Sequence, residues 1–255
     1  MTTICNSIPG RRRFLETLVA APMAATLREH PAARAQTGVG NPQGNVDPSA
    51  VPNTIDTPLA HVLIIHLHAD HYDPVAIRAI VRARCHTLCL REFSATVAAD
   101  GLPVRGVTLH EPALLRGGAL AVIAVEALDG QGDLQVSWIV SGGGKRIFHG
   151  GDTAWHFYWW KIALAYGPFD AVFLPINGVV VARTPPSGVP ASLTPEQAAA
   201  AAHILRARVL CPTHYGDNSP PTYVEADNAE KRVVQACTTR GVRVEVVAPG
   251  QWLTW

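Results

Sequence analysis

His66-Leu67-His68-Ala69-Asp70-His71 follows directly on the apolar run His61-Val62-Leu63-Ile64-Ile65. The run is short and carries two adjacent isoleucines, the pattern of a buried strand. Residues two apart in a strand point to the same face, so the strand predicts that His66 and His68 grip one ion together. Asp70 and His71 fall past the strand end, where the chain can turn them toward a second ion. Imidazole and carboxylate donors suit zinc, with manganese or iron as alternatives.

Outward from that stretch, Asp73-Pro74 reads as an N-cap followed by an N1 proline, opening a helix through about Arg84. Thr87 to Leu90 reads as a strand, and Arg91 to Asp100 as a helix stopped by Gly101 and Pro103. Strands are expected over Ala119 to Ala127 and Leu134 to Ser141, with Gly142-Gly143-Gly144 turning into a third over Lys145 to His149. Trp155 to Tyr166 is expected as a helix with Trp159 and Trp160 in the core, and Asp170 to Pro175 as a buried strand. Thr194-Pro195-Glu196-Gln197 is a capping box opening an alanine-rich helix through Ala207. A strand over Arg208 to Cys211, a helix over Val224 to Thr239 and strands over Val242 to Val247 and Gln251 to Trp255 complete the order. A hairpin-rich part followed by alternating helix and strand predicts an α/β fold, a sheet core with helices outside.

The chain has 255 residues, 48% of them hydrophobic, ample for one domain with a substantial core. Its formal net charge is +1, with no long basic run outside the N-terminus, so charge gives no reason to expect a nucleic-acid partner. The partner expected is a small-molecule substrate.

Two later stretches carry the same donor types. Phe148-His149-Gly150-Gly151-Asp152-Thr153 is a strand running into a glycine turn with an aspartate, and Cys211-Pro212-Thr213-His214-Tyr215-Gly216 ends a strand on a histidine. In this order the three motifs resemble the metallo-β-lactamase superfamily, in its lactonase-like and phospholipase-D-like branch. Phe169 to Ile176 and Thr194-Pro195-Glu196-Gln197-Ala198 are similar to that branch's buried strand and helix start.

The resemblance covers residues 61–255 and implies an αβ/βα sandwich. It implies a two-metal site in which His66, His68, Asp70, His71, Asp152 and His214 are ligands, Asp152 bridging and His214 on the second metal. The implied reaction is hydrolysis of an ester, lactone, amide or phosphodiester by a hydroxide that the two metals activate, with Asp70 also orienting the nucleophile. The alternative is an exported metal-binding protein of the same fold without turnover. Two softer candidates for substrate contact are His156, four residues past Asp152, and Tyr215, whose hydroxyl could serve an oxyanion. The 178–188 loop, with Arg183 its only arginine, reads as a pocket rim.

Two positions depart from the superfamily's pattern. The histidine usual between the first motif and the Gly-Asp-Thr loop is missing. Asp129 aligns with it as a ligand, with Asp133 as runner-up and a plain turn role as the other reading; His110 precedes the strand rather than following it. Fewer strands than usual precede the first motif. That leaves three readings open: a shortened variant, a deletion product, or a sheet completed by another chain in an oligomer.

Residues 1–35 read as an address. Arg11-Arg12-Arg13-Phe14-Leu15 runs into the uncharged stretch Leu18 to Leu27, too short to span a bilayer, and then into Ala33-Arg34-Ala35. The segment resembles a twin-arginine signal, although Gly10 and Glu16 depart from its usual pattern. The expectation is export to the periplasm or beyond, removal of residues 1–35, no stable membrane anchor afterwards, and a linker over 36–60. Cys85, Cys89, Cys211 and Cys237 lack the spacing of a thiolate metal site and are read as structural.

Overall fold

Val62, Leu63, Ile64 and Ile65 are all buried, as the apolar run requires. The computed structural model describes Leu18–Val19 and residues 59–247, apart from Asp70, Arg183, Thr184 and Asp217. The rest of the expected signal segment and linker, and the expected strand over 251–255, lie outside the described residues. The chain divides into two units, Met1–Thr108 with Val247–Trp255, and Leu109–Val246.

The first unit holds a parallel sheet. β1 (Leu18–Val19) pairs with β2 (Leu59–Leu63), β2 with β3 (Val81–Leu90), and β3 with β4 (Val104–Val107). Parallel neighbours need a crossover, and α1 (Pro74–Ile80) supplies it between β2 and β3. Asp73 caps α1 as expected, its Oδ1 accepting from Val75 N at 2.8 Å and Ala76 N at 3.1 Å. The helix stops at Ile80, not near Arg84. From Val81 the chain is strand, because β3 finds its partner in β2, with Leu59 opposite Val81 and His61 opposite His86 across a bulge. A 3-10 turn (Arg91–Phe93) and α2 (Ser94–Ala99) lead to β4. Val62, Ile64, Ile77, Cys89, Val97 and Leu102 form this unit's core. The Tyr72 hydroxyl donates to Asp100 Oδ2 at 2.6 Å, tying the chain after β2 to the end of α2.

The second unit is built on a seven-stranded sheet. β5 (Ala113–Leu115), β6 (Leu120–Glu126), β7 (Val136–Gly142) and β8 (Lys145–His149) form an antiparallel meander. Gly143 and Gly144 turn the β7–β8 hairpin at φ +55° and +73°, the sign a tight hairpin needs. The sheet continues in parallel through β9 (Ala171–Pro175), β11 (Val209–Thr213) and β13 (Arg243–Val244). The crossovers are α3 (Trp159–Tyr166), α4 (Pro195–Ile204) and α5 (Ala229–Thr238). Separately, β10 (Val180–Val181) and β12 (Tyr223–Val224) form an antiparallel ribbon.

α4 starts on the capping box read from sequence: Thr194 Oγ1 accepts from Gln197 N at 3.2 Å, and Gln197 Oε1 from Thr194 N at 2.9 Å. Its fully buried alanines, 198, 199, 201 and 202, join Phe148, Trp159, Phe169, Leu174 and Val233 in the core. Trp160 departs from expectation: it is 54% exposed, whereas Trp159 is fully buried. α3 begins four residues later than expected, which puts Trp159 rather than Trp160 on the inward face. α5 likewise begins at Ala229, since Tyr223 and Val224 are committed to the ribbon. Cys89, Cys211 and Cys237 are buried and unpaired, and burial pushes the Cys211 thiol up to about 12, so these are packing residues rather than ligands. Among the described residues no helix is long and apolar enough to cross a membrane.

Candidate functional site

In the first unit, β2 ends at Leu63, so His66 and His68 lie beyond the strand and its two-residue period does not align them. A turn does the work instead. The backbone N–H groups of His71 and Tyr72 both donate to the His68 carbonyl, at 2.9 and 2.8 Å, and fold His71 back. The rings of His66 and His68 meet edge-on with centroids 4.3 Å apart, and His71 lies 4.5 Å from His66. His66 is 1% exposed. His66 and His68 offer ring nitrogens within 4.8 Å of each other. The structure thus brings three of the four predicted donors of this motif together; Asp70 lies outside the described residues.

In the second unit, the chain leaving β8 turns sharply. Gly150 N donates to Phe173 O at 2.8 Å, and a Cβ on Gly150 would sit 2.8 Å from Leu174 Cδ2. Gly151 follows at φ +67° and donates its N–H to His149 Nδ1 at 3.0 Å. This turn delivers Asp152. Thr153, fully buried, then ties the loop after β6: Leu128 N donates to Thr153 Oγ1 at 2.9 Å, and Ala154 N to Leu128 O at 2.8 Å.

That tie brings Asp129 beside Asp152, their carboxylates offering oxygens within 4.8 Å of each other. Asp129 is 5% exposed and its Oδ1 accepts from Gln131 N at 2.5 Å. Asp133, the runner-up from sequence, is exposed. Gly130 has no room for a side chain, since a Cβ would fall 2.1 Å from Ala191 O, so the loop is pressed under the 189–193 segment. His110 is engaged elsewhere, through Tyr166 Oη and Glu126 Oε1, each at 2.9 Å.

His214 follows β11 at φ +53°, a conformation in which histidine is enriched among non-glycine residues. It offers a ring nitrogen within 4.8 Å of an Asp152 oxygen. Asp152 is therefore near both Asp129 and His214.

Asn177, which the sequence reading passed over, is fully buried with Nδ2 at 3.1 Å from His214 Nδ1. Its signal was a polar residue closing the buried strand Asp170 to Pro175.

The two softer candidates have other partners. The Tyr215 hydroxyl donates to Glu230 Oε1 at 2.6 Å, which does not leave it poised for an oxyanion. Burial, then that bond, raises its pKa. His156 is 5% exposed and stacks on Trp159 at 4.0 Å, so it packs in the core rather than facing a cavity. Its Nδ1 accepts from Tyr158 N at 3.2 Å, and burial lowers its pKa to about 4. Arg183 lies outside the described residues.

The chain belongs to the beta-lactamase superfamily, whose domain matches residues 37–215. It is 29% identical to a metal-dependent hydrolase of Symbiobacterium thermophilum over 196 residues, 76% of this chain and 81% of that protein. It is 26% identical to a metal-dependent hydrolase of Thermococcus kodakarensis over 224 residues, 84% and 87% of the two chains. Among solved structures it is similar to a metallo hydrolase from the archaeon Ignicoccus hospitalis, with a TM-score of 0.63 and 23% identity over 79% of this chain and 83% of that one. The fold is the mixed α/β fold of this superfamily.

Proposed function

We propose that the protein is a metal-dependent hydrolase that holds two divalent ions on His66, His68, Asp70, His71, Asp129, Asp152 and His214. The observation that carries this reading is Asp152, whose carboxylate offers an oxygen within 4.8 Å of a donor on Asp129 and an oxygen within 4.8 Å of a donor on His214. Two carboxylates that close repel each other unless a cation lies between them. The remaining donors are four imidazoles and the Asp70 carboxylate, a set that suits zinc, manganese or iron. When bound, such ions lower the pKa of water and polarise a substrate oxygen. Asp152 would serve both ions, and Asp129 would stand in for the histidine that the superfamily resemblance leads one to expect. Asp70 orients the nucleophile and carries a proton. The names of the Symbiobacterium and Thermococcus relatives support hydrolysis.

The substrate is a small ester, lactone, amide or phosphodiester, met outside the cytosol after export on the 1–35 segment. The experiment is metal analysis of purified protein, followed by turnover assays on a panel of those four substrate classes with zinc, manganese and iron. Two equivalents of metal with metal-dependent hydrolysis are expected. Folded protein that takes up no divalent metal would overturn the reading. Metal uptake without turnover across the panel would leave a metal-binding protein in its place.

A further inference from the structure

β9 and β11 run side by side in register, Pro175 opposite Thr213, and Ile176 N donates to Thr213 O at 3.1 Å. Their next residues, Asn177 and His214, are therefore neighbours. The Asn177 side chain is fully enclosed. Its Nδ2 lies 3.1 Å from His214 Nδ1, 2.9 Å from Tyr223 Oη and 3.4 Å from Glu225 Oε1, and its Oδ1 accepts from the Ser192 hydroxyl. Backbone bonds fix it further, Ala226 N donating to Asn177 O at 2.6 Å.

A neutral imidazole carries one N–H and one lone pair. With the amide nitrogen toward the ring, Nδ1 accepts and the proton sits on Nε2, which then has no lone pair for an ion. With the amide turned over, Oδ1 accepts Nδ1–H and the Nε2 lone pair is released. The Ser192 and Tyr223 hydroxyls can each donate or accept, so they tolerate both orientations. The Glu225 carboxylate only accepts and favours the nitrogen-inward one. We propose that Asn177 is a positioning residue that sets the tautomer of His214, so that metal binding at His214 requires its amide to turn over. This rests on the reading of His214 as a ligand. An outer-shell partner of a ligating histidine is typically worth about 10–100-fold in metal affinity.

The test is ¹⁵N NMR of the His214 ring at pH 8, with zinc binding by chelator competition, on wild type, Asn177→Asp/Glu225→Gln and Asn177→Leu. Metal-free wild type is expected to carry the proton on Nε2, and zinc-loaded protein on Nδ1. Asn177→Asp combined with Glu225→Gln, which removes the carboxylate 3.4 Å away that would otherwise drive the new one to protonate, leaves an acceptor at 177; it is expected to show Nδ1–H before any metal is added and to bind zinc at least as tightly. Asn177→Leu is expected to bind one of its two zinc ions about 10–100-fold more weakly. An unchanged tautomer in metal-free Asn177→Asp/Glu225→Gln would overturn the proposal, whether or not the leucine variant folds. So would an unchanged zinc affinity in folded Asn177→Leu. Wild type that binds no zinc would instead defeat the metalloprotein reading, while the metal-free spectra would still report the Asn177 contact.

Discussion

Thr153 Oγ1 accepts the Leu128 backbone N–H at 2.9 Å, joining the loop after β8 to the loop after β6. The two residues flank Asp152 and Asp129, so this hydroxyl, together with the Ala154 N–H on Leu128 O at 2.8 Å, sets the spacing of the two carboxylates. Thr153→Val keeps the shape and removes the acceptor. It is expected to cost about 1–2 kcal/mol of stability in the metal-free protein, read by denaturant unfolding. It is also expected to weaken one metal about 10–100-fold. Thr153→Ser should restore most of both. A valine variant with unchanged metal affinity would show that the loops hold their places without this bond.

His156 makes stability depend on pH. Burial holds it near 4, against 6.5 for the free group, with the Glu126 carboxylate opposing the shift. Between those values the unfolded chain binds a proton that the folded chain refuses. Its contribution is thus complete above about pH 6.5, falls as pH drops, and levels off below about pH 4. The full swing is about 3 kcal/mol. His156→Phe keeps the stacking on Trp159 and is expected to remove that slope. The check is denaturant unfolding of metal-free protein from pH 7.5 to 4, comparing wild type with variant. Parallel curves would mean that His156 is protonated in place.

What was legible in the sequence was what local pattern encodes. The β6–β7–β8 meander, the Thr194 capping box and the donor types at the strand ends were read to within a few residues. What was missed depends on partners far along the chain. Ile80 and Val81 sit inside an apparent helix, and only pairing with Leu59 and His61 makes strand from Val81 onward. The inward face of α3 depends on where the helix starts, so Trp160 was assigned to the wrong side. The proximity of His66 and His68 was readable, but it came from a turn rather than from a strand. Asn177 carries no motif of its own; its meaning comes from the register that sets β9 beside β11.

The reading of residues 1–35 as a twin-arginine-type signal makes a prediction about the cell. A twin-arginine route carries folded proteins, which suits a chain that would load metal before leaving the cytosol. Changing Arg11 and Arg12 to lysine is expected to leave the full-length precursor inside, while wild type yields a mature chain beginning at Gln36. Cell fractionation and N-terminal sequencing read both outcomes. Unchanged yield of the variant outside the cytosol would refute the route, and an intact N-terminus on exported wild type would refute the cleavage site.

Asp129 carries the sharpest prediction, because its turn bond and its proposed ligand role are separable. Its Oδ1 holds the turn by accepting Gln131 N–H, and its carboxylate lies within 4.8 Å of an Asp152 oxygen. Asp129→Asn keeps an oxygen for the turn and removes the charge, so it isolates ligation from local structure. It is expected to fold normally and to weaken one metal while leaving the other nearly intact. Asp129→Ala should lose that ion and also about 1 kcal/mol of stability with the turn bond. Asp129→His restores the donor usual in the superfamily and should keep both ions. Because an anionic oxygen favours harder ions than imidazole does, wild type should prefer manganese or iron more than Asp129→His does, and the histidine variant should shift toward zinc. Competition between zinc and manganese on the two proteins measures the shift directly. If Asp129→Asn and Asp129→Ala both bind two equivalents of metal with wild-type affinity, Asp129 is a turn residue only, and the position belongs to another donor.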